Sequence, residues 1–391
     1  MAEVVAKEVF TFKNGFFLLL CMCSVASYLG GPICYALLVL YSLSKVFRIK
    51  GYTYNIFAAL FILIAIISTL VNLSETEAVF KPGQRIVMLI LVMIVFSPVI
   101  TNRSIYAYRK RLFIYLLAGL SITSFISSVL GLLGKRFIDG YLVGWYDFPN
   151  SLGYAQGLTI IALASLLGVV SLKLKLLCIG GILVTIVAIP LTGTRTAFYS
   201  IPLVMVGYAF LKSRNIKKLF QILAIVIAGG ILFLNYIDLD TSIIDRKNKL
   251  QEIEGSSRDA LWKARMNEYE QSPIIGIGTF RADMRWSIVN KNGNVEAGNS
   301  FLMMLSMNGL LGFVNFCLLY LGVVIPFCKY ILKKRKSGLS PFEIMLSLVI
   351  TYNFISMQQT GLLLNVGLYF TGINWLTLSL AYKINRFNTI N

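Results

Sequence analysis

The chain is a series of long apolar runs separated by short polar segments. A helix that crosses a bilayer needs roughly 20 mostly apolar residues, with a range of about 17–25. Scanning at this length predicts about twelve spanning helices, with the first run, Phe16–Phe47, divided into two short spans by Gly30-Gly31-Pro32. The other predicted spans are Asn55–Asn72, Ile86–Ile100, Leu112–Leu133, Leu152–Leu172, Leu176–Leu191, Ala197–Leu211, Phe220–Tyr236, Phe301–Phe327, Phe342–Met357 and Leu362–Tyr382.

The positive charges between these runs predict how the helices are oriented. With both termini placed in the cytoplasm, 22 of the 36 lysines and arginines fall in inner segments, 5 in short outer loops, and 9 in the long polar loop. Cytoplasmic loops normally carry the excess of positive charge, and long loops do not count toward the rule. The long loop, Ile237–Gly298, is therefore predicted to face outward, together with Lys135–Ser151 and the turn at Arg195.

The composition agrees with a membrane protein. Apolar residues make up 57% of the 391 positions and charged residues only 14%, whereas soluble domains carry about 25% charged residues. We therefore expect an all-α integral membrane protein that forms one polytopic domain over residues 1–391, with residues 237–298 as a large, partly helical loop. The net charge of +19 does not indicate a nucleic-acid partner, because it is divided among short clusters rather than gathered on one face.

Two residue types limit the chemistry that the chain can perform. It contains no histidine, which removes the commonest general base and the commonest metal ligand. Its six cysteines lie within or at the edge of apolar segments, so neither a disulfide framework nor a zinc site is expected. They are Cys21, Cys23, Cys34, Cys178, Cys317 and Cys328.

The long loop carries a helix pattern of its own. Ser256-Ser257-Arg258-Asp259 is typical of a helix start, with a hydroxyl three residues before an acid. Apolar positions continue at helical spacing through Leu261–Tyr269, and Pro273 ends the pattern. The following Gly276-Ile-Gly278 favours a turn over a phosphate-binding loop, because a single G-x-G is a weak signal.

Two arginines are the strongest candidates for a functional site. Arg195 lies between two apolar spans, and an arginine at membrane depth is costly and by default marks a function. The alternative is that Arg195 extends its side chain to the interface and only marks a helix end. Arg258 offers a planar guanidinium for phosphate oxygens. On spacing alone, an ordinary surface arginine on a solvated helix is the better explanation of Arg258.

Three weaker features accompany these arginines toward the outer side. Asn299 is followed by Gly309 and Gly312, glycines that plain helix packing explains. Pro149-Asn150-Ser151 has the composition of a turn and helix cap. Arg85 opens another span from the outer side, where extension of its side chain to the interface is the default interpretation.

Taken in order, these features resemble the O-antigen polymerase and ligase superfamily. The motifs are Pro149-Asn150, Gly193-Thr-Arg-Thr196, S-R-D-A-L-W at Ser257–Trp262, S-P-I-I-G-I-G at Ser272–Gly278, and Asn299-x9-Gly309-x-x-Gly312. The resemblance covers roughly Pro149–Phe327, and the first third of the chain matches in hydropathy alone.

The resemblance implies a metal-independent, inverting glycosyltransferase without a cofactor. Such an enzyme acts at the periplasmic face of the bacterial inner membrane on an undecaprenyl-diphosphate-linked oligosaccharide. Arg195 and Arg258 would be the catalytic residues that hold the donor diphosphate. The substrate-binding candidates are Arg85, Asn150, Asn299 and Trp262. Besides membrane lipid, a chain-length regulator protein is an expected partner by family analogy.

One departure from the family pattern favours a polymerase over a ligase. Ligases carry a histidine immediately before the asparagine of the Asn-x9-Gly motif, and this chain has Gly298 there. The general base is left open among Glu254, Asp259 and Glu296. A glycan-lipid transporter or flippase is the main non-enzyme alternative. It predicts internal repeats and charges near the bilayer midplane, and the sequence shows neither.

Overall fold

The computed structural model describes residues 12–72, 82–138, 140–212, 257–283, 285, 298–358, 360–364 and 369–388. The described part is a bundle of α-helices with two short, two-stranded antiparallel sheets. The helices are α1 (Phe12–Val25), α2 (Gly31–Val46), α3 (Ile56–Val71), α4 (Pro82–Phe96), α5 (Arg103–Leu132), α6 (Pro149–Leu166), α7 (Leu172–Ala188), α8 (Arg195–Lys212), α9 (Ser257–Gln271), α10 (Ser300–Arg335), α11 (Pro341–Met357) and α12 (Tyr369–Asn388). Short 3-10 helices precede α2 and α8, at Ser27–Leu29 and Pro190–Thr192.

Eleven of the twelve predicted spans coincide with described helices, and Phe220–Tyr236 lies outside the described residues. Among the described residues, only α5, α7 with its following turn, and α10 are long and apolar enough to cross a bilayer by length and composition. Six further apolar helices in that part of the chain are 10–17 residues long. The mostly helical, apolar architecture is therefore confirmed, and the count of twelve spans stays a prediction.

Local sequence explains where several helices begin. Gly30 takes the left-handed conformation, with φ of 81°, and turns the chain between α1 and α2; glycine adopts this conformation without steric cost. Asn55 begins α3 by accepting a hydrogen bond from the Ala58 N–H at 3.2 Å. Asn102 begins α5 in the same way, accepting from Ile105 N–H at 2.7 Å. These side chains satisfy backbone donors that a helix start leaves unpaired.

The helix ends separate into two groups, at opposite ends of the bundle. At one end the start of α8 meets the start of α6, because the Thr194 hydroxyl donates to the Pro149 carbonyl at 3.2 Å. The start of α12 joins them through Tyr369 and the Ser151 carbonyl, at 3.2 Å. We call this the loop end, because α9 packs there on α10. At the opposite end, strand β1 (Thr53–Tyr54) pairs with β2 (Ile100–Thr101) between α3 and α5.

This separation agrees with the alternation of inner and outer loops that the charges predict. A β-hairpin, formed by β3 (Phe137–Ile138) and β4 (Tyr141–Leu142), lies at the loop end, where β4 contacts the 3-10 helix before α8. The backbone of Tyr28, between α1 and α2, donates to the Trp145 carbonyl just beyond this hairpin, at 3.1 Å. The placement of the loop end on the outer side of the membrane stays a prediction.

Helices α6 and α12 form the centre of the bundle. Almost every residue of α6 up to Ala162 and of α12 up to Ala381 is buried. Trp375 of α12, the largest fully buried side chain, packs edge-on against Phe61 and Phe316. In contrast, α2, α3, α7 and α10 expose many large apolar side chains. An apolar exterior of this kind is expected for a bundle that lies in lipid.

Helix α10 is broken at Gly309, where φ is 62° and ψ is −167°. The chain after α9, Ser272–Asp283, fills this break, and we call it the docked segment. Its Pro273 and Ile274 carbonyls accept from the N–H groups of Leu310 and Leu311, at 2.8 and 3.2 Å. The N–H groups of Ile277 and Gly278 in turn donate to the Ser306 and Met307 carbonyls, at 2.9 and 3.2 Å. The break thus leaves few backbone groups unpaired, as the interior of a membrane protein requires.

Candidate functional site

The turn that carries Arg195 is held by side chains from two neighbouring elements. Gly193 has a φ of 62°, and a Cβ added to it would lie 2.5 Å from the Tyr141 ring. The Thr194 hydroxyl accepts from the Thr192 hydroxyl at 2.9 Å and reaches the Pro149 carbonyl. Glycine is therefore required at position 193, and the turn is fixed against the start of α6. Arg195 is the first residue of α8; its described geometry is limited to that position.

Asn150 lies beside this turn, although not in the role that its motif indicates. The N-cap of α6 is Phe148, which makes no side-chain cap, and Pro149 occupies the first turn of the helix. Asn150 is therefore an exposed first-turn residue, and the cap predicted for Pro149-Asn150-Ser151 is wrong in this detail. A proline at a helix start has the φ that the first turn needs. The result is a solvent-facing amide next to the turn of Arg195.

The second group of candidates lies where α9 meets the start of α10. A Cβ on Gly298 would lie 3.3 Å from Leu261 Cβ and 3.7 Å from the Trp262 indole. Trp262 itself is 39% exposed. Arg258 is the second residue of α9, one turn before Leu261. The structure describes its backbone position only. The predicted loop helix is confirmed over Ser257–Gln271; Ser256 is outside the described residues.

Asn299 is the N-cap of α10. Its Oδ1 accepts from the N–H groups of Phe301 and Leu302, at 2.8 and 3.2 Å. Helix capping therefore explains Asn299 in part, and its contact with substrate stays a prediction. The next residue, Ser300, accepts from the Leu362 N–H at 2.9 Å. This bond joins the start of α10 to the segment before α12. Tyr369, the first residue of α12, in turn reaches α6.

Plain helix packing, which the sequence indicated for Gly309, does not explain this residue. A Cβ on Gly309 would lie 2.3 Å from the Ile274 carbonyl oxygen, and one on Gly276 would lie 2.3 Å from the Met307 carbonyl carbon. Both have a positive φ, of 62° and 83°. The S-P-I-I-G-I-G motif and the Asn-x9-Gly motif thus contact each other directly. Gly312 is different, because it gives room to the Asn308 side chain of its own helix.

Two of the described acids near the site, Glu268 and Asp283, are committed to other partners. Glu268 of α9 is fully buried and forms an ion pair with Arg265 at 2.7 Å, and it also accepts from the Asp283 N–H at 3.0 Å. Asp283 accepts from Arg285, which holds the pKa of this carboxyl well below its usual range. Asp259 is exposed on the first turn of α9. Of the predicted general-base candidates, Glu254 and Glu296 are outside the described residues.

Arg85 lies in the first turn of α4 and is half-buried. Because α4 packs on α3, whose end contacts the docked segment, Arg85 lies at the loop end. The structure therefore brings Asn150 to the Arg195 turn and Trp262 to Asn299, and places Arg85 at the same end. Within the described ranges, no group of three or more histidine, cysteine or acidic side chains could hold a metal ion.

The sequence does not indicate that one arginine of the inner segments is buried. Arg109 falls among the inner-segment charges, but it is 1% exposed inside α5. Its guanidinium donates to the Ile94, Val95 and Ile100 carbonyls, at 2.7–2.8 Å, and to the Ser379 hydroxyl at 2.8 Å. No local signal separates it from its neighbours Lys110 and Arg111, because its acceptors come from α4, α12 and the segment after α4.

The fold and this end of the bundle define an apolar helical protein whose candidate site lies where helix starts converge. Comparison with known families gives the class more narrowly. Residues 180–317 match the family model described as O-antigen ligase. This segment contains the Arg195 turn, α9, the docked segment and the first half of α10, so the resemblance to the O-antigen ligase and polymerase superfamily is confirmed. No curated protein matches the chain.

Proposed function

We propose that this protein is a repeat-unit polymerase of O-antigen or a related polysaccharide. It would transfer a growing undecaprenyl-diphosphate-linked glycan onto the next lipid-linked repeat unit, at the periplasmic face of the bacterial inner membrane. The family match supports glycosyl transfer in polysaccharide biosynthesis. The observation that carries the proposal is the convergence of the starts of α6, α8 and α10 with α9 at one end of the bundle.

The proposed chemistry needs little beyond positioned positive charge. A hydroxyl of the acceptor sugar attacks the anomeric carbon of the donor, the bond to the diphosphate breaks, and the hydroxyl proton passes to a base. Undecaprenyl diphosphate leaves with the bonding electrons, and configuration inverts. Arg195 and Arg258 would stabilise the departing diphosphate, because fixed cations are most effective where charge develops. Asn150, Trp262, Asn299 and Arg85 are proposed to bind the two glycans and align the hydroxyl.

Gly298 supports the polymerase over the ligase. Its φ is 65°, a conformation that residues with a Cβ rarely adopt. A side chain there would also press on Leu261, whose Cβ lies 3.3 Å from the added atom. A histidine here would have to adopt this left-handed conformation and displace Leu261 slightly, so the glycine fits a polymerase, which does not need that histidine, better than a ligase.

An elongation assay tests the proposal directly. The purified protein in detergent is given the lipid-linked repeat unit, and product length is read on a gel. Wild-type protein should lengthen the glycan, and Arg195→Ala or Arg258→Ala should lower the rate about 100-fold or more. Arg103→Ala is the matched control, since Arg103 is also the first residue of a helix, but at the opposite end. Full elongation by Arg195→Ala would remove Arg195 from the mechanism.

A gene deletion in the source strain separates the alternatives. Lipopolysaccharide that collapses to core plus a single repeat supports the polymerase. Bare core, with long glycan retained on the lipid carrier, would indicate the ligase despite Gly298. An unchanged ladder together with an inactive purified protein would argue for a capsule polymer or for glycan-lipid transport.

A further inference from the structure

The docked segment is anchored in the bundle by buried polar side chains. Thr279 is fully buried, and its hydroxyl donates to the Oδ1 of Asn308, which is 1% exposed. The Ala65 carbonyl of α3 lies 3.1 Å from the same hydroxyl. One side chain of the docked segment thus reaches both α3 and the part of α10 that precedes its break. In an apolar interior such groups are stabilised only while each has its partner.

Neighbouring residues of α3 complete this anchor. The Ser68 hydroxyl donates to the Met307 carbonyl at 2.7 Å, just before the break in α10. The Asn72 amide donates to the Gly276 carbonyl at 3.1 Å. Two carbonyl groups next to the break therefore find donors on a different helix. The contact joins α3, α10 and the docked segment as one unit.

The same segment is bound to α9 at its far end. Glu268, held by Arg265, accepts from the Asp283 N–H at 3.0 Å. Between the two attachments lies Phe280, buried at 2% exposure and with a φ of 68°. A buried aromatic residue with positive φ is strained, and such strain persists only where surrounding contacts over-determine it. A continuous series of contacts therefore runs from Asn308 through Thr279 to α9.

We propose that Thr279 and Asn308 are positioning residues that hold α9 in register with the start of α10. The inference rests on the proposed function, since it assigns them the alignment of Arg258 and Trp262 on α9 with Asn299 on α10. Neither residue needs to touch the substrate. Small displacements of catalytic groups cost large factors in rate, because the bound groups must lie within reacting distance.

Thr279→Val tests the anchor, because it keeps the shape of the side chain and removes the hydroxyl. Asn308 Oδ1 is then buried without the donor that Thr279 supplies. We expect kcat for elongation to fall about tenfold to 100-fold with KM unchanged, and Thr279→Ser to restore it. Hydrogen exchange should accelerate in peptides that cover α9 and the docked segment, and not in α5.

Thr185→Val is the matched control. Thr185 is also fully buried, but its hydroxyl bonds only to the Gly181 carbonyl of its own helix, at 2.7 Å. A thermal midpoint of Thr279→Val close to that of Thr185→Val, together with the local change in exchange, would support positioning over general loss of structure. Equal kcat in the two variants, or failure of Thr279→Ser to restore activity, would overturn the inference while leaving the proposed function intact.

A wild-type protein that makes no polymer would instead defeat the proposed function. Hydrogen exchange then tests the anchor without an activity measurement: faster exchange in α9 of Thr279→Val supports the proposed contact between Thr279 and Asn308. Exchange equal to that of Thr185→Val would overturn it.

Discussion

The two ends of the bundle are built by different means. At the loop end, the backbone itself turns and breaks, and glycines with positive φ stand at Gly193, Gly276, Gly298 and Gly309. Backbone groups there are paired with other backbone groups and with hydroxyl and amide side chains. At the opposite end, charged side chains, above all Arg109, are added to the Asn55 and Asn102 caps at helix termini. The close backbone contacts of the loop end need positions without a side chain, whereas the opposite end relies on side chains at its helix termini.

The opposite end shows how charge can close a helix terminus. The Arg109 guanidinium donates to three carbonyl groups at or just after the end of α4. The C-terminal end of a helix is the negative end of its dipole and favours a cation. At the start of α11, Ser340 and Glu343 form a capping box, and Glu343 also accepts from Lys334 at 2.6 Å. These hydrogen bonds and this ion pair fix helix termini without requiring a residue that lacks a side chain. The loop end instead brings helix starts together, and their positive dipole ends favour anions.

Gly309→Ala should break the loop end most severely. The new Cβ would lie 2.3 Å from the Ile274 carbonyl oxygen at a positive φ, so strain and overpacking together should cost about 2–6 kcal/mol. The thermal midpoint in detergent measures the loss. Gly322→Ala lies in the same helix with nothing within 4 Å, and should change stability by about 1 kcal/mol or less. Equal midpoints would refute the fit at Gly309.

Arg109→Met should have the next largest effect, at the opposite end. It keeps the apolar stem and leaves buried carbonyls of α4 without their charged donor, which should cost about 2–5 kcal/mol. Denaturant or thermal unfolding measures the change. Arg111→Met, at an exposed position two residues later, should alter stability by about 0.5 kcal/mol or less. A tolerated Arg109→Met would mean that the α4 terminus does not need this side chain.

Ser340→Ala should have a smaller effect, because it removes one hydroxyl from the capping box of α11. Its Oγ accepts from the Glu343 N–H at 3.3 Å, and loss of an N-cap typically costs about 1 kcal/mol. Ser337→Ala serves as the control, since that exposed hydroxyl only meets the Lys334 carbonyl. Identical midpoints for the two variants would show that Glu343 and Lys334 hold this helix start alone.

Asp283→Asn should have the smallest effect and a defined pH dependence. The Arg285 guanidinium lowers the pKa of Asp283, so its contribution is present above the unfolded pKa of about 4 and is lost as pH falls toward the lower folded pKa. Because Arg285 is 68% exposed, the contribution is only about 0.5–1 kcal/mol at neutral pH. Unfolding of both proteins from pH 7 to 3 tests this. A difference that grows on acidification would contradict the sign.

The helical segments were largely predictable, because apolar runs of spanning length have few other uses. The interruption at Gly30 and the loop helix α9 were also predictable, since glycine, proline and capping residues act locally. The break in α10 was not, because Gly309 lies within a continuous apolar run. Its cause is the docked segment, which precedes α10 in the chain and pairs with it largely through backbone atoms, which carry no sequence signal.

The candidate site shows the same division. Arg195, Arg258, Asn150 and Asn299 were found as motifs, and the structure places the backbone positions of all four at one end of the bundle. The sequence did not indicate that Thr279 and Asn308 join two of these motifs. It also did not distinguish Arg109, buried among carbonyls, from the exposed Arg111.

The sequence by itself determined an apolar, helical protein with an alternating order of loops, and it contained the motifs of a glycan-transferring family. Hydropathy, charge and capping act over a few residues, so one chain segment suffices to express them. Only the tertiary structure decided which helix starts meet, where α10 breaks, and which glycines have no room for a side chain. Those properties depend on contacts between residues far apart in the chain, such as Ile274 with Gly309 and Ala65 with Thr279.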